Sequence, residues 1–209
     1  MENLEGVCAL VTGGAGELGS EVIRELVKRG ASVLAADSTE ERIDEAIARL
    51  GLDDPDEIFT HALEGGDVVS WWDLANLIGA YFNTLNFFVH IAEPSRSVPV
   101  RTLALDALRE AQAASTDSFL TAMARLEKYL IEASAEDRVG ACVVAVVPSA
   151  DGDAGNVPGS VCHASTLELA NEMTRAYSEA GLNIRVHAVR ASSAEAKGAA
   201  KEIVDLIGH

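Results

Sequence analysis

Near its start the chain runs a short apolar stretch, Val7 to Val11, straight into Thr12-Gly13-Gly14-Ala15-Gly16-Glu17-Leu18-Gly19. No other feature constrains the fold so tightly. An uninterrupted apolar run of this length reads as a strand buried on both faces, the situation of an interior strand in a parallel sheet. Behind the glycines, Leu18, Val22, Ile23, Leu26 and Val27 recur at helical spacing up to Arg29, and Gly30 closes the element. A strand, a glycine turn and an amphipathic helix in that order open an alternation of strands and helices.

The alternation then continues along the chain. Strands are expected at 32–36, 58–63, 85–92, 141–147 and 184–189. Ser38 with Glu41 reads as a capping box for a helix through Leu50 that stops at Gly51. Ser70 is the expected cap of a helix through Phe82, and a long alanine-rich helix is expected over 102–133. Asp53-Asp54-Pro55-Asp56 reads as a turn, Pro94 and Pro99 bracket a loop, and 148–160 reads as a glycine- and proline-rich loop. Helices over 164–179 and near the C-terminus complete the pattern. The expected fold is α/β, a doubly wound parallel sheet of six strands in three αβα layers, one domain across 1–209.

Charge excludes some functions. Asp and Glu number 33 against 16 Lys and Arg, a formal net charge of −17. Binding to nucleic acid or an anionic membrane through a basic face is therefore not expected. The acid is spread along the chain, as on solvated helix faces. Three cysteines without C-x-x-C spacing predict neither a disulfide framework nor a zinc site, and His61, His187 and His209 show no metal-ligand spacing. No basic segment precedes an apolar stretch at the start, and no run approaches the roughly 18 apolar residues of a membrane span. The expectation is a soluble, cytoplasmic protein without a metal.

The glycine turn carries the chemistry. Gly14, Gly16 and Gly19 satisfy G-x-G-x-x-G, while Thr12, Gly13, Gly16 and Gly19 satisfy T-G-x-x-G-x-x-G. Glycines permit a tight turn and close backbone approach to a pyrophosphate, and the helix start, at Leu18, supplies N–H groups and a positive dipole end. Asp37 ends the second strand, where a carboxylate accepts hydrogen bonds from adenosine ribose hydroxyls and repels a 2′-phosphate. No Arg or Lys lies in the turn or just after Asp37. That predicts NAD rather than NADP. Two alternatives stay open: a turn that binds nothing, and Asp37 as an acid that only flanks the next helix. Glu17, if it points into the turn, competes with the cofactor for the same amides; pointing outward, it only solubilises.

From Val7 to about Val189 the chain resembles a short-chain dehydrogenase/reductase. The resemblance rests on Thr12 to Gly19, on Asp37, on Asp67-Val68, and on Ile184-Arg185-Val186-His187-Ala188-Val189, which is similar to the family's I-R-V-N-x-V strand. It implies a Rossmann-type fold and a dinucleotide partner. It further implies adenine contacts from Asp67 and Val68, with Glu64 as the alternative. His90 and Ala92 fall in His90-Ile91-Ala92-Glu93, at the place of the family's N-N-A-G.

The family's chemistry uses a tyrosine and a lysine in Y-x-x-x-K, a serine on the preceding strand and an asparagine in the long helix. The lysine lowers the tyrosine pKa, and the serine holds the substrate oxygen. Here Cys162-His163-Ala164-Ser165-Thr166 fills the window, with cysteine for tyrosine and threonine for lysine. The serine position falls at Val147, with Ser149 two residues on, and the asparagine position at Ala114 or Ser115. Cys162 as a helix N-terminal thiolate, His163 as an acid–base group and Ser149 are the substitute catalytic candidates. Beyond Val189 the family's substrate lid and seventh strand are expected to be missing. The two helices over 102–133 and 164–179 imply a homo-oligomer. The functional expectation is an NAD(H)-binding member of the oxidoreductase superfamily with a degenerate active site. The alternatives are an active oxidoreductase using non-standard residues on a carbonyl, alcohol or enoyl substrate, and a scaffold that binds no nucleotide.

Overall fold

The computed structural model describes residues 3–52, 57–92, 98, 100–135, 139–149 and 156–208. The expected turn at 53–56, most of the Pro94–Pro99 loop and residues 150–155 of the expected 148–160 loop lie outside the described residues, while 148–149 continue a strand and 157–160 open a helix.

Six parallel strands form one sheet in the order β3-β2-β1-β4-β5-β6. They are β1 (Cys8–Thr12), β2 (Ser32–Asp37), β3 (Ile58–Ala62), β4 (Phe87–Ile91), β5 (Ala141–Ser149) and β6 (Ile184–Ser192). β1 pairs with β2 on one side, Leu10 opposite Leu34, and with β4 on the other, Leu10 opposite Phe88. After β3 the chain crosses to the far side of β1, so strand order reverses between β1 and β4. The crevice of a doubly wound sheet opens at such a point, outside the strands' C-terminal ends.

Side chains alternate across the sheet and sort into two cores. Leu10, Leu34, Phe88, Val143 and Val186 face one side, covered by α3 (Val68–Tyr81), α5 (Ser118–Ser134) and α6 (Val157–Glu179). Ala9, Val11, Phe87, Val89 and Val144 face the other, covered by α1 (Glu17–Lys28), α2 (Glu40–Leu50) and α7 (Ala196–Asp205). Cys8 and Cys142 are core, as expected, and burial pushes their thiols up to about 12 and about 11. Of the tandem tryptophans, Trp71 is wholly buried and Trp72 is exposed.

Four local expectations are corrected. The side chain capping α2 is Thr39, which accepts from the Arg42 N–H, not Ser38. Asp67 rather than Ser70 caps α3, accepting from the Val69 and Ser70 amides. The helix expected over 102–133 is three pieces: α4 (Leu105–Gln112), a π turn (Ala113–Asp117) and α5. Finally, α6 starts at Val157 rather than Ala164. Asn156 caps it through the Gly159 N–H, and Pro158 is tolerated in its first turn, where a missing N–H costs nothing.

Candidate functional site

The glycine turn is built by close approach. Gly14 N–H donates to the Ala36 carbonyl at 3.0 Å and Gly16 N–H to the Gly13 carbonyl at 3.1 Å. Gly13 has a φ of +69°, and a Cβ there would lie 2.9 Å from the Ile91 carbonyl oxygen. A Cβ on Gly19 would sit inside the Gly13 carbonyl. Only glycine fits either place. The turn delivers the chain into α1, whose Gly16 cap makes no side-chain hydrogen bond. The first N–H groups of α1 thus have no intrahelical partner and no capping oxygen, unlike those of α2 and α3.

Around this turn lies a cavity of about 730 Å³. Of the expected cofactor residues, Thr12, Gly13, Gly16, Leu18 and Gly19 line it from the turn, and Asp37, His90 and Ala92 line it from the neighbouring strand ends. Gly14 does not. It packs between α1 and β2, where a Cβ would meet Ile23 at 3.2 Å. Asp67 and Val68 are not among the lining residues either: the Asp67 carboxylate is engaged as the α3 cap, and Val68 is exposed. The chain reaches the cavity just before them, through Leu63, Glu64, Gly65 and Gly66.

Asp37 is held firmly. Its Oδ2 accepts from the Ala15 N–H at 3.0 Å, inside the glycine turn, and its Oδ1 from the Ser38 N–H at 2.8 Å. Arg42, in the first turn of α2, lies 3.2 Å from Oδ1 and also lines the cavity. No Arg or Lys lies in the turn or just after Asp37 in sequence, but folding brings Arg42, five residues on, against it. Sequence distance hid Arg42; its i,i+4 spacing from Ser38 once the helix forms was the available signal. Glu17 is exposed and is one of the lining residues.

His90, next to last in β4, and Thr12, last in β1, meet through their side chains at 2.9 Å, Nδ1 to Oγ1. The imidazole lies among Trp71, Phe88 and Phe119, with ring centroids 5.8–6.1 Å away. Burial pushes its pKa down to about 4, against a smaller upward pull from the Ser115 backbone. The Trp71 indole, tied to the Gly65 carbonyl at 3.0 Å, supports the same wall. The sequence pattern did not mark Trp71 as part of this wall, whereas Ala114, at the matched asparagine position, lines the cavity with Ala113 from the π turn.

The corner matched to proton-transfer residues looks different. Cys162 is 1% exposed and packs with Ala111 and Val147. It stands in the second turn of α6, not at the helix start, and burial, then Asp117, push its thiol up rather than down. The expectation of a helix-activated thiolate is corrected. His163 is half-buried, and its pKa is lowered by burial and by Arg190. Thr166, at the lysine position, is 1% exposed. Ser149 ends β5, its backbone opposite Ser192. Cys162, His163 and Thr166 are not among the residues that line the cavity. No group of three or more His, Cys, Asp or Glu placed to hold a metal occurs among the described residues. No helix among them is long and apolar enough to cross a membrane.

A family model described as short chain dehydrogenase matches residues 7–205. The chain belongs to the short chain dehydrogenase family, whose cofactor is a nicotinamide dinucleotide. The fold is similar to a short chain dehydrogenase from Mycobacterium smegmatis, at 20% identity over 100% of this chain and 88% of that one, with a TM-score of 0.82. It is also similar to a short-chain dehydrogenase/reductase (glucose/ribitol dehydrogenase) from Brucella melitensis, at 19% identity over 92% and 78%, with a TM-score of 0.77. A third likeness is to a hydroxysteroid dehydrogenase from Escherichia coli, at 19% identity over 90% and 75%, with a TM-score of 0.74. At these identities the likeness shows the fold alone. No curated protein matches the sequence.

Proposed function

We propose that this protein binds NAD(H) in the glycine-turn cavity and carries out no carbonyl–alcohol chemistry of the usual kind. The observation that carries the reading is the contrast between two ends of one crevice. At one end the turn fits a dinucleotide: glycines at Gly13 and Gly19 where any Cβ would collide, a helix start without a capping side chain, and Asp37 at the ribose position. At the other end, the matched positions hold Val147, Cys162 and Thr166, all at most 5% exposed.

In that reading the Glu17, Leu18 and Gly19 amides hold the pyrophosphate. Asp37 accepts from a ribose hydroxyl through lone pairs its present donors leave open. Glu64 and the Gly65-Gly66 backbone border the adenine, while Asp67 serves the fold. The bound dinucleotide would supply hydride chemistry in an active relative. Here His90 stays neutral near pH 7 and holds Thr12 rather than moving a proton. The protein would then act as a dinucleotide-dependent oligomer. The outward faces of α5 and α6, where Leu120, Ile131 and Leu167 are exposed, support a homodimer contact.

The test is turnover with saturating NAD⁺ or NADH against a panel of alcohols, aldehydes and enoyl thioesters, followed by NADH absorbance. No substrate-dependent change is expected. A steady change that Gly16→Trp abolishes would overturn catalytic silence and return His163 and Ser149 as candidates.

A further inference from the structure

The sheet has two outer edges, and the chain treats them differently. At β6 the edge is guarded. The Val186 N–H donates to Thr174 Oγ1 at 2.9 Å, and that hydroxyl donates to the Val186 carbonyl at 3.0 Å, so α6 occupies both backbone groups. Arg190, exposed further along the strand, adds a charge. Both devices keep another strand from joining a sheet. At β3 the edge is bare. The Leu63 N–H donates to the Asp37 carbonyl. Alternation along the parallel ladder then turns the backbone groups of Phe59 and His61 toward β2, and those of Ile58, Thr60 and Ala62 outward. Among the described residues, nothing hydrogen-bonds to that outer row. The strand itself contains no proline, Lys, Arg, Asp or Glu. Beside it lie exposed rings: Phe59, 40% exposed, packs edge-on to Phe82 at 5.3 Å and stands 6.4 Å from Tyr81, which is 70% exposed.

Charge selects what fits there. β3 and α3 contain no Lys or Arg, while Glu57, Glu64, Asp67 and Asp73 are exposed around them. Two copies joined edge to edge would bring these acids together on chains that each carry a net charge of −17. We propose that the outer edge of β3 docks an extended segment of a partner protein, basic and with apolar side chains at alternate positions. The segment adds as a seventh strand. Its backbone pairs with Ile58, Thr60 and Ala62, its apolar side chains meet Phe59 and Tyr81, and its Lys or Arg residues meet the flanking acids. None of Ile58–Ala62 lines the glycine-turn cavity, so docking here does not depend on a bound dinucleotide.

The probe is a short dye-labelled peptide of alternating Lys and Val, with a Glu-for-Lys counterpart. Each is titrated into the full chain and followed by fluorescence anisotropy and by amide hydrogen exchange. Saturable binding of the Lys–Val peptide is expected, with slowed exchange at the Thr60 and Ala62 amides. Phe59→Ser and Tyr81→Ser should each weaken it by about threefold or more, the second at a position too exposed to matter for folding. The Glu–Val peptide should bind about tenfold more weakly or worse, and added salt should narrow that gap. No saturable binding, equal affinity for the two peptides, equal affinity in both variants, or exchange slowed elsewhere than at β3 would overturn the docking site. Thr60 and Ala62 amides that exchange slowly in the chain alone, and faster on dilution, would place a second copy on this edge and overturn the basic partner.

Discussion

His90 is neutral in the folded chain wherever the pH is near 7, because burial holds its pKa at about 4 instead of 6.5. Below about pH 6.5 the unfolded chain takes up a proton that the folded chain refuses until about pH 4. Stability from this group is therefore intact above pH 6.5 and lost as the pH falls through that window. Between about pH 7 and pH 5 the loss is on the order of 2 kcal/mol. His90→Asn keeps a polar partner for Thr12 and removes the titration, so urea unfolding should show a correspondingly shallower fall over that range. Equal falls in both proteins would contradict a buried, neutral His90. At this scale the glycine turn was legible from the sequence, since a position where every Cβ collides leaves only one residue type. Arg42 was not legible, because its pairing with Asp37 exists only once α2 has placed it there. Cys162 was misplaced for a related reason: α6 begins at Val157, about two turns before the expected Ala164, so the cysteine lies inside the helix rather than at its start.

Helix starts decide how much of the site each element can offer. Asp67 accepts from the Val69 and Ser70 amides, while Ser70 Oγ accepts from the Glu64 N–H and ties the Glu64–Gly66 segment back onto α3. Asp67→Ala should cost about 1 kcal/mol, a fall in Tm of roughly 2–4 °C for a chain of this size. Dinucleotide affinity measured alongside should move little. A large loss of affinity with unchanged Tm would mean that Asp67 contacts the ligand, as the family resemblance implies. Existence and order of the elements could be read from periodicity. Their first residues could not, because Ser38, Thr39, Asp67 and Ser70 are all competent caps and only the packed structure selects among them. The π turn at Ala113–Asp117 was equally hidden. Its alanine-rich surroundings fit a continuous helix, and the one sequence cue was the polar Ser115-Thr116-Asp117 within them.

Across the whole molecule, the two cores clamp the sheet from both sides, and the C-terminal helix closes one of them. Arg29, 8% exposed, reaches Asp205 at the end of α7 at 2.5 Å, and Arg185 donates to the Ile207 carbonyl at 2.9 Å. These contacts fix α7 beside α1 and so support the helix whose start forms the glycine-turn site. The exposed leucines of α5 and α6 predict a dimer in sedimentation velocity that Leu120→Glu with Leu167→Glu converts to monomer without loss of helical circular dichroism. A parent that sediments as a monomer at every concentration would contradict that interface.

The central claim is that the glycine turn is a working dinucleotide site. Trp71 lines the cavity, so tryptophan emission should be quenched, with transfer to reduced nicotinamide, as NADH is titrated into the full chain. Saturable quenching is expected in the parent, with binding at least tenfold weaker in Gly19→Ala, where the new Cβ collides with Gly13. Circular dichroism must show the variant folded. No saturable quenching in the parent, or the same affinity in Gly19→Ala, would contradict it.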